Sequence, residues 1–200
     1  FLHLRLAGLQ GVSFKIEVRS RDMSIIIVLL FFIIGLIFGS FFNVVGLRVP
    51  QQLSFSTGRS SCPHCHTPLK SYELIPVISY LLQRGKCRHC QTRISWIYPT
   101  IELLTGCLFA FSVYQLGFQI ELIVALLFVS LLMIIFVSDI TYMVIPNKVL
   151  LFFLPWFVLL RGIEPLTPWT SSIYGALVGA GIIALIILLS KGGMGGGDLK

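Results

Sequence analysis

The chain has 200 residues, of which 56% are hydrophobic and 12% are charged. Soluble domains carry a charge on about a quarter of their residues. The composition therefore excludes a disordered chain, a coiled coil and an ordinary soluble enzyme, and it favours an integral membrane protein.

The net charge of +7 is concentrated in one part of the chain. Seven basic residues and one acid lie between Arg48 and Pro99. Lys and Arg beside apolar spans are retained on the cytoplasmic side of a membrane. We therefore interpret this charge as a topology signal and expect a lipid bilayer, not a nucleic acid, as the partner.

The chain begins with a polar segment, residues 1–22, that contains four basic residues. It is too polar to span a membrane and lacks the compact apolar core of a secretory signal peptide. Met23 directly precedes the first apolar run. We interpret residues 1–22 as a non-native extension, with an amphipathic surface segment as the alternative.

Five apolar stretches predict transmembrane helices, because a spanning helix needs about 20 apolar residues. Together they give an all-α polytopic membrane protein with a first helix in 23–50, a cytoplasmic loop in 51–99 and further helices in 100–200. The basic loop places the turn after the third helix and residues 191–200 on the cytoplasmic side as well. The five stretches are 24–47, 101–117, 120–138, 149–160 and 171–190.

The predicted loop contains two CxxC pairs, Cys62 with Cys65 and Cys87 with Cys90. Two such pairs can close a tetrahedral metal site, and four thiolates leave no open position for catalysis. A reducing cytoplasm disfavours disulfides, so we predict a small loop domain held by structural zinc. The alternative, a redox-active CxxC, lacks the expected strand–helix context.

Two aspartates lie where charge is expensive, at the ends of apolar runs. Asp139 ends the third run, and Asp198 follows Gly195, Gly196 and Gly197. Acids from two helices that meet at the membrane boundary could share a proton and activate water, as in aspartic proteases. Two alternatives stay open from the residues alone: the acids cap helices, or they relay protons or ions.

Four sequence blocks in this order make the chain resemble the bacterial type IV prepilin leader peptidases, membrane aspartic proteases of the GxGD type. The resemblance covers roughly residues 23–200. The blocks are Gly-Ser-Phe-Phe-Asn-Val-Val-Gly-Leu-Arg-Val-Pro at 39–50, the cysteine pairs followed by Ile-Ser-Trp-Ile-Tyr-Pro at 94–99 and by Glu102, Asp139 with Ile-Pro-Asn at 145–147, and Gly-Gly-Gly-Asp at 195–198.

The resemblance implies a peptidase that removes the short basic leader of prepilins and pseudopilins after a glycine, with Asp139 and Asp198 as the catalytic pair. It places the active site and the zinc loop on the cytoplasmic side of the bacterial inner membrane. It further implies helices beyond Lys200, because the family continues past its GxGD motif.

The resemblance also implies methylation of the newly exposed N-terminus with S-adenosylmethionine. The candidate residues for this second activity match the N-terminal signature and one following acid; they are Gly39, Phe41, Asn43, Arg48, Pro50 and Glu102. A structural interpretation competes. Gly39 would permit close helix contact, Asn43 would bond across helices, and Arg48 would mark the inner interface. Glu102 lies near a helix end, where its charge could reach headgroups or a loop Arg or Lys.

Two non-enzymatic functions are the alternatives. A proton-relay subunit of a secretion system would need acids deep inside its spans. A zinc-loop membrane scaffold would explain the cysteine pairs but gives no reason for the glycine run before Asp198.

Overall fold

The computed structural model describes residues 25–54 and 60–164, together with short stretches between 170 and 182. The described part is helical. Its elements are α1 (Ile25–Arg48), a 3₁₀ turn (Ser71–Leu74), α2 (Ile78–Leu82), α3 (Ile97–Leu116), α4 (Ile120–Tyr142) and α5 (Asn147–Ile163).

Helices α1, α3 and α4 are long and apolar enough to cross a membrane. They confirm the first three predicted spans, with ends shifted by a few residues. The fourth predicted span is α5, a 17-residue helix that contains Pro155. At 1.5 Å per residue it is about 26 Å long, slightly short of a typical hydrocarbon core. The fifth predicted span, 171–190, lies largely outside the described residues.

Helices α1 and α3 pack backbone against backbone through glycines. A Cβ atom on Gly35 would lie 2.7 Å from the Cα of Gly106, and one on Gly39 would lie 2.8 Å from the Cα of Glu102. Real Cβ atoms do not approach other atoms so closely. Small residues are what membrane helices use for such contacts, since lipid provides no hydrophobic force between them. We call this contact the glycine seam.

Helix α4 packs against both α1 and α3. It meets α1 near the end of α1 that leads into the loop. A Cβ on Gly46 would lie 2.7 Å from the side chain of Val137. The buried core lies between α1, α3, α4 and α5, whereas many apolar side chains on the outer faces are exposed, as lipid-facing residues must be. The core consists of Phe42, Val45, Ile101, Phe109, Met133, Ile134, Val137, Val149 and Phe153.

Candidate metal centre, loop cavity and active site

The first CxxC pair lies on a tight turn of the 51–99 loop. The Cys62 N–H donates to the Thr67 carbonyl at 3.1 Å, and the His66 N–H donates back to the Cys62 carbonyl at 2.9 Å. His66 has a positive φ of 55°. The turn aims Cys62 and Cys65 at one point, as a metal-binding knuckle requires.

The second CxxC pair repeats the same backbone pattern. The Cys87 N–H donates to the Thr92 carbonyl at 2.8 Å, the Gln91 N–H donates to the Cys87 carbonyl at 2.9 Å, and Gln91 has a φ of 59°. Two identical turns therefore face each other from positions 25 residues apart in the sequence.

The four sulfur atoms lie close enough together to ligate one metal ion. All four lie within 4.8 Å of one another. The Sγ atoms of Cys62 and Cys90 are 3.8 Å apart, and those of Cys65 and Cys87 are 4.0 Å apart. A tetrahedral ion with metal–sulfur bonds of about 2.3 Å needs sulfurs about 3.8 Å apart. The predicted grouping of the four cysteines is confirmed, and the set can hold a metal ion.

Hydrogen bonds with threonines lower the pKa of two of these cysteines. Hydrogen bonds from the Thr92 side chain and main chain lower the pKa of Cys90 to about 6. Thr67 lowers the pKa of Cys65 in the same way. The thiolate is the form that binds metal, so both threonines favour the ligating state.

A cavity of about 450 Å³ lies between the metal centre and the loop-side ends of α1 and α3. We call it the loop cavity. Cys62 and Cys87 form part of its wall, and its polar lining includes Asn43, Glu73 and Glu102. Each of these three polar side chains is less than 8% exposed. Such burial is expensive for polar groups unless they have partners.

Glu102 ties α3 to the loop. Its Oε2 atom accepts a 2.7 Å hydrogen bond from the Val77 N–H. Val77 has a φ of 60°, and the Ile78 N–H donates to the Pro76 carbonyl at 2.6 Å, which makes a strained γ-turn. The expectation that Glu102 reaches headgroups or a basic loop residue is therefore wrong: the carboxylate is buried against the loop backbone. A hydrogen bond between residues this far apart in the chain leaves no local pattern in the sequence.

Asn43 and Glu73 each use only one of their two terminal side-chain atoms in a hydrogen bond. The Asn43 amide Nδ2 donates to the Tyr98 carbonyl at 3.2 Å across the glycine seam, which confirms the bond expected between helices. Glu73 Oε2 accepts from the Lys70 N–H at 2.8 Å. Asn43 Oδ1 and Glu73 Oε1 are buried without a hydrogen-bond partner among the described residues. Glu73 was missed by sequence reasoning; its only signal was being the one acid in a basic loop.

The six candidate residues for methyl transfer do not all lie at one site. Asn43, Arg48 and Glu102 line the loop cavity. Gly39 belongs to the glycine seam, and the exposed ring of Phe41 lies outside the cavity lining. The remaining signature residue, Pro50, follows α1 in a turn and is half-buried. The Arg48 guanidinium donates to the Ser54 carbonyl at 3.4 Å, close to the predicted membrane boundary.

Asp139 is exposed in the last turn of α4. Its main-chain carbonyl accepts from the N–H of Met143, the left-handed residue that ends the helix. The N-cap of α5 is Pro146, and no side chain caps it. The alternative in which Asp139 caps the following turn is therefore wrong. Asp198 and Gly195–Gly197 lie outside the described residues, so their position relative to Asp139 stays a prediction.

Comparisons with known proteins match both halves of the chain. Residues 33–116 match the Bacterial Peptidase A24 N-terminal domain, and residues 126–200 match the Type IV leader peptidase family. No solved structure is significantly similar to the chain.

Three relatives illustrate the similarity, and each is named prepilin leader peptidase/N-methyltransferase. The Bacillus subtilis protein is 48% identical over 169 residues, which cover 84% of this chain and 68% of the relative. The Neisseria gonorrhoeae protein is 33% identical, covering 84% and 69%. The Vibrio cholerae protein is 34% identical, covering 89% and 76%. With both family models matched in order and these identities over most of its length, the chain belongs to the type IV leader peptidase family.

Proposed function

We propose that the protein is a membrane-embedded prepilin peptidase that removes the leader of prepilins and pseudopilins and then methylates the new N-terminus. The observation that carries this function is the family membership across both halves of the chain. The names of the relatives supply both activities. The exposed acid at the end of α4 and the cavity under the metal centre are suited to the two reactions.

For proteolysis we assign Asp139 and Asp198 as a pair that shares one proton. Close carboxylates cannot both ionise easily, so one holds the proton while the other acts as a base. The base takes a proton from water, and the water oxygen attacks the carbonyl carbon of the leader glycine. The protonated acid donates a hydrogen bond to the carbonyl oxygen. The C–N bond then breaks, and the new amine leaves with a proton.

We assign this chemistry to the cytoplasmic side of the bacterial inner membrane. The loop and Asp139 are on one face, because α1 ends and α4 ends there and the Gln51 amide donates to the Tyr142 hydroxyl at 2.7 Å. The basic loop favours the cytoplasm for that face. Basic leaders of substrates are retained on the same side by the same rule.

We assign zinc to the four-cysteine site and S-adenosylmethionine to the methyl transfer. Four soft thiolate ligands within 4.8 Å of one another suit zinc, and a closed set of four cysteines would make the site structural. S-adenosylmethionine supplies an electrophilic methyl group to the new amine.

The test combines a prepilin peptide with the purified protein in detergent, with and without S-adenosylmethionine. Mass spectrometry follows the mature N-terminus. We expect wild type to remove the leader and to add a methyl group only when the donor is present. Asp139→Asn should lose cleavage, with a fall in its rate of at least about a thousandfold. The matched control Glu121→Gln, at the opposite end of α4, should cleave normally.

Cleavage that survives Asp139→Asn would remove this residue from the catalytic pair. No cleavage by folded, metal-loaded wild type would contradict the peptidase and favour the zinc-loop scaffold. A proton relay is disfavoured because Glu102, Glu121 and Asp139 lie near the ends of described helices.

A further inference from the structure

We propose that the loop cavity is the binding site for the methyl donor S-adenosylmethionine, with Glu73 as a ligand-binding residue and the metal centre as one wall. This inference rests on the methyltransferase part of the proposed function. It adds the location of the site, a residue outside the N-terminal signature, and a reason for a metal centre that takes no part in hydrolysis.

The size and position of the cavity suit a ligand of this kind. Small-molecule sites range from about 300 to 1,000 Å³, and this cavity has about 450 Å³. Its walls come from α1, α3 and both cysteine turns. Asp139 is not among the lining residues. The cavity is thus separate from the acid assigned to proteolysis, as a second activity requires.

Two buried polar atoms indicate that a ligand completes the site. Asn43 Oδ1 and Glu73 Oε1 belong to residues that line the cavity, and neither has a partner among the described residues. Leaving such atoms unpaired is costly, and the rest of each side chain is fixed by a backbone group. Both free atoms are hydrogen-bond acceptors when Glu73 is ionised. The missing partner must therefore donate hydrogen bonds.

S-adenosylmethionine offers the matching groups. Its ammonium and its ribose hydroxyls donate hydrogen bonds, and its sulfonium adds a second positive charge, so the acids Glu73 and Glu102 favour it. Acidic residues commonly hold ribose hydroxyls in nucleotide sites. Its carboxylate can pair with an arginine, and both Arg48 and Arg93 line the cavity.

Aromatic residues provide a place for the adenine ring. Tyr80 from α2 and Tyr98 from α3 are part of the same lining. Aromatic side chains stack on nucleobases with a gain that does not depend on base identity. Cys62 and Cys87, whose sulfurs belong to the metal site, are also part of the lining. Loss of the metal would therefore deform the donor site directly.

The experiment measures binding rather than turnover. Radiolabelled S-adenosylmethionine is equilibrated by dialysis with metal-loaded protein in detergent, for wild type, Glu73→Gln and the matched control Glu121→Gln. Glu121 lies at the other end of the helices and pairs with Arg161. We expect Glu73→Gln to weaken binding by about tenfold or more, since bonds to a charged acceptor are the strong ones. Glu121→Gln should bind like wild type.

Metal content, thermal midpoint and leader cleavage of Glu73→Gln should stay at the wild-type level. If the variant fails to fold, ultraviolet crosslinking of the labelled donor to wild type replaces it, and we expect the adduct on peptides from the cavity lining. Normal donor affinity in Glu73→Gln, or an adduct confined to residues outside the lining, would overturn the site while the methyltransferase function stands. Wild type that methylates nothing and binds no donor would overturn that function and the site with it, whereas leader cleavage would be unaffected.

Discussion

At the scale of single residues, the cysteine turns of the loop depend on a few residues in an unusual backbone conformation. His66 and Gln91 occupy equivalent positions after the second cysteine of each pair, and both have a positive φ. Non-glycine residues pay about 1 kcal/mol or more for this region. The folded loop holds them there because the following threonines bond to the cysteines. The hydrogen bonds of each turn therefore hold its strained residue in place.

Gln91→Gly should leave the loop as stable as wild type or more stable by up to about 1 kcal/mol, because glycine adopts a φ of 59° without strain. The matched control His89→Gly, in the same turn but outside the positive-φ region, should lower stability by about 0.5–1 kcal/mol. Thermal unfolding of metal-loaded protein measures both. A larger loss for Gln91→Gly than for His89→Gly would contradict this account of the turn.

At the scale of elements, the glycine seam sets how α1 and α3 fit together. Gly39 faces the Cα of Glu102, so the seam also positions two residues of the loop cavity, Asn43 and Glu102. The Asn43–Tyr98 hydrogen bond adds a polar link at the same level. In lipid, such packing and hydrogen bonds replace the hydrophobic effect as the force between helices.

Gly39→Ala should destabilise the protein by about 1–3 kcal/mol, because the added methyl would lie 2.8 Å from the Cα of Glu102, a main-chain atom that cannot easily move aside. Gly162→Ala is the matched control, since nothing lies within 4 Å of the added atom. It should be neutral or slightly stabilising. Unfolding in a detergent titration compares the two, and equal stability of both variants would argue against a tight seam.

The elements and the metal site could be predicted from the sequence, whereas the cavity could not. The apolar run ending before Arg48 and the spacing of the CxxC pairs are local signals, and both features were found as expected. The Val77–Glu102 bond and the free oxygen of Glu73 depend on how the loop folds back on the helices. Contacts between residues far apart in the chain produce no periodic pattern in the sequence. The pairing of Asp139 with Asp198 stays a prediction.

At the scale of the whole molecule, the described residues divide into two parts, for which we propose different tasks. The loop with α1 and α3 builds the metal centre and the cavity, whereas Asp139 ends α4 outside that lining. This division agrees with the two family models, which match residues 33–116 and 126–200 separately. It implies that one activity can be lost without the other.

The double variant Cys62→Ser, Cys87→Ser should lose the metal and S-adenosylmethionine-dependent methylation while keeping part of its leader cleavage. Both residues are buried ligands that also line the cavity, so their loss removes the wall of the donor site. Metal analysis and mass spectrometry of the product measure the two effects. Cys107→Ser, outside the metal site, serves as the control. Cleavage and methylation falling together to zero in a folded variant would show that the parts are not separable.

The glycine seam has a consequence for how the protein responds to its surroundings. Helices that meet through long side chains can shift when lateral pressure from the bilayer changes. The backbones of α1 and α3 are already in contact at Gly35 and Gly39, so they cannot move closer together. The positions of Asn43 and Glu102 in the loop cavity are therefore fixed by main-chain contact. We expect the affinity for S-adenosylmethionine to be the same in detergent micelles as in bilayers of different acyl-chain length.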